Sequence, residues 1–187
     1  MEKLVGKPAE NETKFKELVL YVSQKCANDP TFGATKLNKI LFYTDFLAYA
    51  NLGEPITAFD YQKLRWGPAP RRLIPVQNDM ITKGELVLQP VHLLGGKVQK
   101  RTVNLRDPDL SVFRPQEIAL IDEVIEALES ARADAVSELS HRLVGWKVAE
   151  EGESIPYETI FLSDEPLTDA ENERGRKLAK QFGLLAS

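Results

Sequence analysis

TKLNKILFYTDFLAYA, residues 35–50, is the stretch that decides the fold. Six residues have the spacing of one helix face, because five of them follow the first by 3, 4, 7, 10 and 11 positions. They are Leu37, Ile40, Leu41, Thr44, Leu47 and Ala48. The flanks of this face are aromatic: Phe42, Tyr43, Phe46 and Tyr49. A helix that is apolar most of the way round is usually buried between neighbours, so we predict a central core helix.

The same stretch keeps several polar side chains, which form one edge of the predicted helix: Lys36, Asn38, Lys39 and Asp45. Burying an unpaired charge costs several kcal/mol, so these groups need partners elsewhere in the chain. They are therefore expected to fix how neighbouring elements pack.

Composition indicates one soluble globular domain. The 187 residues are 43% apolar and 28% charged, which is ordinary for a folded domain that needs no metal or disulfide. No run approaches the roughly 18 apolar residues of a membrane span, and the N-terminal sequence lacks a signal-peptide core. The single cysteine, Cys26, fits a reducing cytoplasm.

Charge is unevenly distributed along the chain. Residues 1–106 carry a net charge of +6, residues 107–173 carry −14, and residues 174–187 carry +4. The acidic part is either a set of solvated helix faces or one of two electrostatically different surfaces. The second interpretation predicts steering of a charged protein partner.

Periodicity predicts helices on both sides of the central one. After a polar tail at residues 1–12, residues 13–27 form an amphipathic helix whose apolar stripe includes Cys26, an inert buried thiol. Thr31 or Thr35 caps the central helix, and Gly53 ends it. A third helix is expected over residues 71–83, with Pro70 in its first turn and Pro75 causing a kink or a late start.

Residues 85–105 give the clearest β signal. Two apolar arms flank Gly95-Gly96, which predicts a hairpin with a two-residue turn, and Pro90 marks the first arm as an edge strand or a bulge. The remaining chain predicts three helices: one from Pro115, one over 135–146 capped by Asp134, and one from a Thr168–Glu171 capping box to Gly183. The predicted fold is α+β, a predominantly helical single domain with a small antiparallel hairpin.

Catalytic and metal-binding patterns are missing from the sequence. Two histidines and one cysteine do not make the usual zinc sites, and no phosphate-binding loop or nucleophile elbow occurs. His141 is the one serious catalytic candidate, and a structural histidine beside Trp146 is the favoured alternative. Glu150 and Glu151 lie in an acidic loop and are expected to be solvated. We therefore predict no enzyme, no cofactor and no metal.

DNA binding is an alternative with more support. Helix, turn, helix and basic hairpin is the order of a winged helix, a possible element of this fold. Arg71 and Arg72 would begin its recognition helix, and Lys97, Lys100 and Arg101 would arm its wing. The overall acidity argues against tight non-specific binding, which depends on phosphate neutralisation.

Several residue groups together resemble the Panacea domain of the SocA-like antitoxins, a family also found in phage-associated proteins. They are residues 35–43 with Asp45, then Pro55-Ile56-Thr57 with Tyr61, Trp66-Gly67-Pro68, residues 138–141 with Gly145-Trp146, and Ile155-Pro156-Tyr157. The resemblance covers roughly residues 13–165, with residues 166–187 as a C-terminal helix. Trp66 stands where the family usually has tyrosine, and Pro75 interrupts the following helix.

The resemblance implies an antitoxin that binds and neutralises a cognate protein toxin, by steric cover or as an adaptor to a ClpXP-type protease. DNA is a less favoured partner, and no membrane is expected. The predicted partner-binding residues are Lys39, Tyr43, Tyr61, Arg65, Trp66, Arg71 and Arg72. The predicted structural motif residues are Lys36, Leu37, Asn38, Asp45, Gly67, Pro68, His141, Trp146 and Pro156. Core packing is the alternative role for both tryptophans.

Overall fold

Helix α2, Ala34–Leu52, lies at the centre of the computed structural model. Its buried side chains surround most of its circumference, as the aromatic flanks predict: Leu37, Ile40, Leu41, Phe42, Thr44, Phe46 and Ala48. Gly53 ends the helix with φ at 83°, the left-handed conformation expected of a C-terminal glycine. The predicted threonine caps are wrong, because Gly33 occupies the N-cap and Thr31 instead bonds to Asp29 and Lys36.

The structure describes residues 9–93, 96, 98–129, 131–165 and 168–181. The other helices are α1 (Glu12–Lys25), α3 (Leu73–Thr82), α4 (Pro115–Glu129), α5 (Ala133–His141), α6 (Val144–Val148) and α7 (Asp169–Gln181), with 3₁₀ turns at Leu110–Val112 and Tyr157–Phe161. The strands form two antiparallel pairs, β1 (Tyr61–Gln62) with β2 (Ala69–Pro70) and β3 (Leu86–His92) with β4 (Val98–Asn104). The fold is α+β and predominantly helical, as predicted.

Helix α3 begins later than the proline pattern suggested. Pro70 belongs to strand β2, opposite Tyr61, so its predicted place in the first turn of the helix is wrong. The first helical hydrogen bond of α3 runs from the amide of Val76 to the carbonyl of Arg72. Pro75 therefore lies among the first residues of the helix, where its missing N–H costs no hydrogen bond. This is the late start that Pro75 predicts.

The β3–β4 hairpin is confirmed in regular register, with Pro90 opposite Lys100 and no bulge at that pair. Both strands are edges, because within the described residues each has one partner. Its Gly95-Gly96 turn falls partly outside the described residues. Arg101 joins the hairpin to the α1–α2 connection by donating to the carbonyls of Ala27, Asp29 and Phe32.

The helix predicted over residues 135–146 is two helices, α5 and α6. Leu143 breaks it by adopting an extended conformation, with φ at −66° and ψ at 131°. Arg132 rather than Asp134 occupies the N-cap of α5, and Asp134 lies in its first turn. Helix α7 is confirmed, but the side chain of Glu171 and the predicted end at Gly183 lie outside what the structure describes.

The buried charged groups on α2 have partners outside the helix, beginning with Lys36. Lys36, with no exposed surface, donates to Asp29, to Thr31 and to the carbonyls of Glu129 and Ala131 at the end of α4. This places one ammonium group among four oxygens and joins α2 to α4. A buried ion pair of this kind fixes the packing of its elements even where its net stabilisation is small.

Asp45 joins α2 to the segment that follows it. Its carboxylate accepts hydrogen bonds from the amide of Thr57 at 2.7 Å, from the Thr57 hydroxyl, and from the Tyr61 hydroxyl at 2.9 Å. Burial nevertheless raises the pKa of Asp45 to about 6, because a charged carboxylate loses its hydration there.

The thiol of Cys26 lies in the interior, as the apolar stripe of residues 13–27 predicts. Cys26 is buried, and burial raises the pKa of its thiol to about 12, which makes the thiol inert near neutral pH. Among the described residues no helix is both long and apolar enough to cross a bilayer. The same residues contain no cluster of three histidine, cysteine or acidic side chains placed to hold a metal.

Asp45 should make the stability of the fold depend on pH. Between pH 3.8, its ordinary pKa, and about 6, the folded state binds a proton that the unfolded state has released. The free energy of unfolding should therefore fall by up to about 3 kcal/mol as pH rises through this window. Asp45→Asn removes this contribution. The free energy of unfolding of the variant should therefore increase relative to that of the native protein as pH rises toward 7. Urea unfolding at pH 4, 5, 6 and 7 measures it, and parallel pH profiles for the two proteins would contradict it.

Candidate partner-binding surface

The turn that joins β1 to β2, residues 63–68, carries the most exposed aromatic side chain of this region. Trp66 is 62% exposed, so the alternative of core packing is wrong for this tryptophan. The guanidinium carbon of Arg65 lies 5.0 Å from the centre of its indole ring. The amide of Gly67 closes the turn by donating to the carbonyl of Leu64 at 2.8 Å. An exposed tryptophan and an arginine therefore stand together at the tip of the turn.

The main chain of this turn is held from three directions. From α2, Lys39 Nζ donates to the carbonyl of Pro68 at 2.9 Å. From α5, Ser137 Oγ donates to the carbonyl of Trp66 at 2.8 Å. From the loop after α6, Glu151 accepts a hydrogen bond from the amide of Arg65 at 3.0 Å. Because these contacts come from separate elements, the turn has a fixed position on the body of the protein.

Gly67 is required at the base of the turn for two independent reasons. Its φ is +94°, a left-handed conformation that residues with a Cβ rarely adopt. A Cβ atom at this position would also lie 2.4 Å from Ser140 Oγ and 2.6 Å from Lys39 Cε. The Trp-Gly-Pro motif is thus explained by the close approach of the turn to α2 and α5.

Lys39 is the buried cation beneath this turn. Its side chain is 1% exposed and donates to a single described acceptor, the Pro68 carbonyl. Burial lowers the pKa of Lys39 to about 7, because one carbonyl does not replace the hydration of an ammonium ion. The pKa of His141 is lowered as well, first by burial and then by the nearby charge of Lys39. Both groups therefore favour their neutral forms more than they would in water.

His141 and Trp146 stack on each other, and Lys63 at the start of the turn contacts the Trp146 ring. Their rings stack at a centroid distance of 3.9 Å and an angle of 16°, which packs the end of α5 on α6. Lys63 Nζ lies 4.4 Å from the centre of the Trp146 ring. Within the described residues His141 Nε2 accepts or donates no hydrogen bond, so no nucleophile or orienting carboxylate is joined to it there. The contacts describe a packing role for this histidine.

The predicted partner-binding residues separate into interior and surface positions. Lys39 and Tyr61 are each 1% exposed, so neither presents its side chain to a partner. Tyr43 is half-buried against Phe42, with its hydroxyl buried. Arg65 and Trp66 are exposed at the tip of the turn.

Arg71 and Arg72 are exposed but already paired. The guanidinium of Arg71 bonds to Asp60, Gln62, Ser154 and the carbonyl of Gly152. The guanidinium of Arg72 bonds to Glu10 and Glu12 at 2.8 and 2.7 Å. These contacts join the start of α3 to the N-terminal segment and to the loop after α6.

The predicted structural residues occupy both buried and exposed positions. Lys36, Leu37 and Asp45 are in the core, Asn38 is half-buried on α2, and Gly67 and Pro68 form the base of the turn. Pro156 is the exposed N-cap of the 3₁₀ turn that carries buried Tyr157, whose hydroxyl donates to the carbonyl of Phe59 at 2.7 Å.

A groove of about 350 Å³ lies beside the turn, between the start of α2, helix α3 and the hairpin. Its apolar lining includes Leu64, Leu88 and Ile74, the last of which is 70% exposed. Sequence reasoning missed this groove. Ile74 and Ile81 do give a signal, because they share a face of α3 that the buried residues Leu73 and Met80 do not occupy.

Gly67→Ala should destabilise the protein by about 2 kcal/mol or more, because it adds backbone strain to a steric clash. Gly84→Ala is the matched control, since Gly84 also has a positive φ of 70° but open space around its Cα. The loss of stability in Gly84→Ala should be limited to the strain of the backbone. Thermal unfolding of both variants measures the difference, and equal losses of stability would mean that the close approach of the turn is unimportant.

Comparison with known proteins agrees with this arrangement of motifs. The family model described as "Antitoxin SocA-like, Panacea domain" matches residues 37–147, which include most of α2, the turn and the stacked His141 and Trp146. No curated protein and no solved structure matches the chain. The family model spans more than half of the chain, and its region contains the elements that position the turn. The chain belongs to the SocA-like antitoxin family with a Panacea domain.

Proposed function

We propose that this chain is the antitoxin of a toxin–antitoxin system and that it neutralises a cognate protein toxin by direct binding through the turn at residues 63–68. The observation that carries the proposal is the exposed Trp66 on a main chain held by Lys39, Ser137 and Glu151. Tryptophan and arginine are the side chains most often responsible for binding energy at interfaces. The family relationship supports a toxin as the partner.

Preorganisation explains why a fixed turn suits this role. Ordering a mobile loop on binding costs free energy that subtracts from affinity. In this protein that cost is met during folding, because α2, α5 and the loop after α6 hold the turn in the unbound state. Arg65 and Trp66 then meet a partner with little further loss of main-chain freedom.

DNA binding has less support than protein binding. The guanidinium groups of Arg71 and Arg72 bond to carboxylates of this chain, and that of Arg101 bonds to three of its carbonyls. Phosphate contacts would have to replace these bonds. We therefore favour a protein partner that meets the antitoxin in the cytoplasm, where the unpaired Cys26 would stay reduced.

Co-expression with the product of the adjacent gene tests this function. The intact chain should restore growth and bind that product in a pull-down. Trp66→Ala should weaken binding at least about 30-fold, the effect of losing a side chain worth roughly 2 kcal/mol, and should reduce protection. Phe161→Ala is the matched control because Phe161 is 65% exposed, and it should leave binding unchanged.

Two outcomes would contradict the proposal. One is an adjacent product that is harmless alone, or that remains toxic in the presence of abundant intact chain. The other is full protection by Trp66→Ala, which would place the interface elsewhere. Repeating the assay without the ClpXP-type protease separates steric neutralisation from delivery to that protease, because only delivery requires it.

A further inference from the structure

The groove beside the turn has the features of a peptide site. Leu64, Ile74 and Leu88 give it apolar walls, and a hydrogen bond of 3.0 Å between buried Gln77 and Thr102 lies among its lining residues. With Ile74 at 70% exposure, this face of α3 has no cover within the described part of the chain. A surface of this kind gains binding energy when an apolar side chain of a partner removes it from water.

The side-chain amide of Asn38 is a polar group of the groove whose buried oxygen lacks a partner among the described residues. It lines the groove and makes no hydrogen bond with any described residue, and its Oδ1 is buried away from solvent. A half-turn about the Cβ–Cγ bond exchanges the oxygen and nitrogen of the amide, so the side chain can offer a donor or an acceptor. A peptide group offers both a donor and an acceptor, and therefore satisfies either orientation.

The charged residues that line the groove are all basic. Arg71 and Lys100 line it, and no carboxylate is among its described lining residues. Arg71 is paired with Asp60, whereas Lys100 forms no ion pair within the described structure. A partner that places a carboxylate near Lys100 would therefore gain an attraction that the free protein does not satisfy.

We infer that the groove between α2, α3 and the hairpin binds an extended segment of the toxin that carries an apolar side chain next to an acidic one. The apolar side chain packs on Ile74 and Leu88, the carboxylate approaches Lys100, and a main-chain amide bonds to Asn38. This inference rests on the proposed function for the identity of the partner, but its chemistry comes from the groove.

Hydrogen bonding favours an extended segment over a helix. The amides in the middle of a helix are bonded internally, and so offer nothing to Asn38. An extended strand leaves alternate peptide groups free and presents side chains two residues apart on one face.

Selection from a phage library of random 12-residue peptides on the full-length chain tests the inference without the toxin. Enriched peptides should combine an apolar residue with Asp or Glu one to three positions away. One enriched peptide, made synthetically, then serves as the probe for titration calorimetry. Ile74→Asp should weaken its binding at least about tenfold, while Val148→Asp, a change at an equally exposed apolar residue (70%), should have no effect.

Two further variants separate a binding role from a structural one. Asn38→Leu should weaken the peptide about tenfold without lowering the melting temperature, because the amide has no hydrogen bond to lose in the free protein. Lys100→Met should weaken binding and reduce its dependence on salt. Lys100→Arg keeps the positive charge and should therefore keep the native affinity and the native salt dependence.

The inference is overturned if no peptide family is enriched, if enriched peptides are basic, or if Ile74→Asp and Val148→Asp behave alike. These results leave toxin neutralisation by the intact chain unaffected. Conversely, an adjacent gene product that is not a toxin would remove the proposed function while peptide binding in the groove persisted.

Discussion

The structure depends on one constraint: the charged side chains of α2 are buried, and Lys36, Lys39 and Asp45 each have a partner outside the helix. Burying an unsatisfied charge or donor costs more than most single contacts contribute, so these partners determine the packing. Lys36 fixes the end of α4, Asp45 fixes the segment containing Thr57 and Tyr61, and Lys39 fixes the turn before strand β2. The central helix thus sets the positions of the elements around it.

That constraint connects the family motifs to the surface. Lys39 and Gly67 are in close contact beneath the turn, and Ser137 holds its tip from α5. None of these side chains needs to touch a partner, yet together they decide where Trp66 stands. These three residues build the support beneath the exposed side chains of the turn.

Much of the fold follows from the sequence, because periodicity reports burial directly. The spacing of apolar residues correctly predicts α2, the hairpin and α4, and Gly53 correctly marks the end of α2. Helix boundaries that depend on tertiary contacts did not follow from the sequence. Pro70 suits a helix start locally but pairs with Tyr61 in a strand, and the break at Leu143 was missed although Gly145 follows two residues later.

The structure separates the predicted partner-binding residues by exposure, which residue type alone does not predict. Trp66 and Arg65 are exposed together, but Tyr61 has the same aromatic character and is buried because its hydroxyl bonds to Asp45 and to the carbonyl of Leu41. Arg71 is paired with Asp60, and sequence alone does not reveal such a pairing. Hydrogen–deuterium exchange on the complex with the adjacent gene product tests the central claim most directly. The account predicts new protection in residues 63–68 and at the start of α3. Protection confined to the acidic helices α4 and α5, with the turn unchanged, would contradict it.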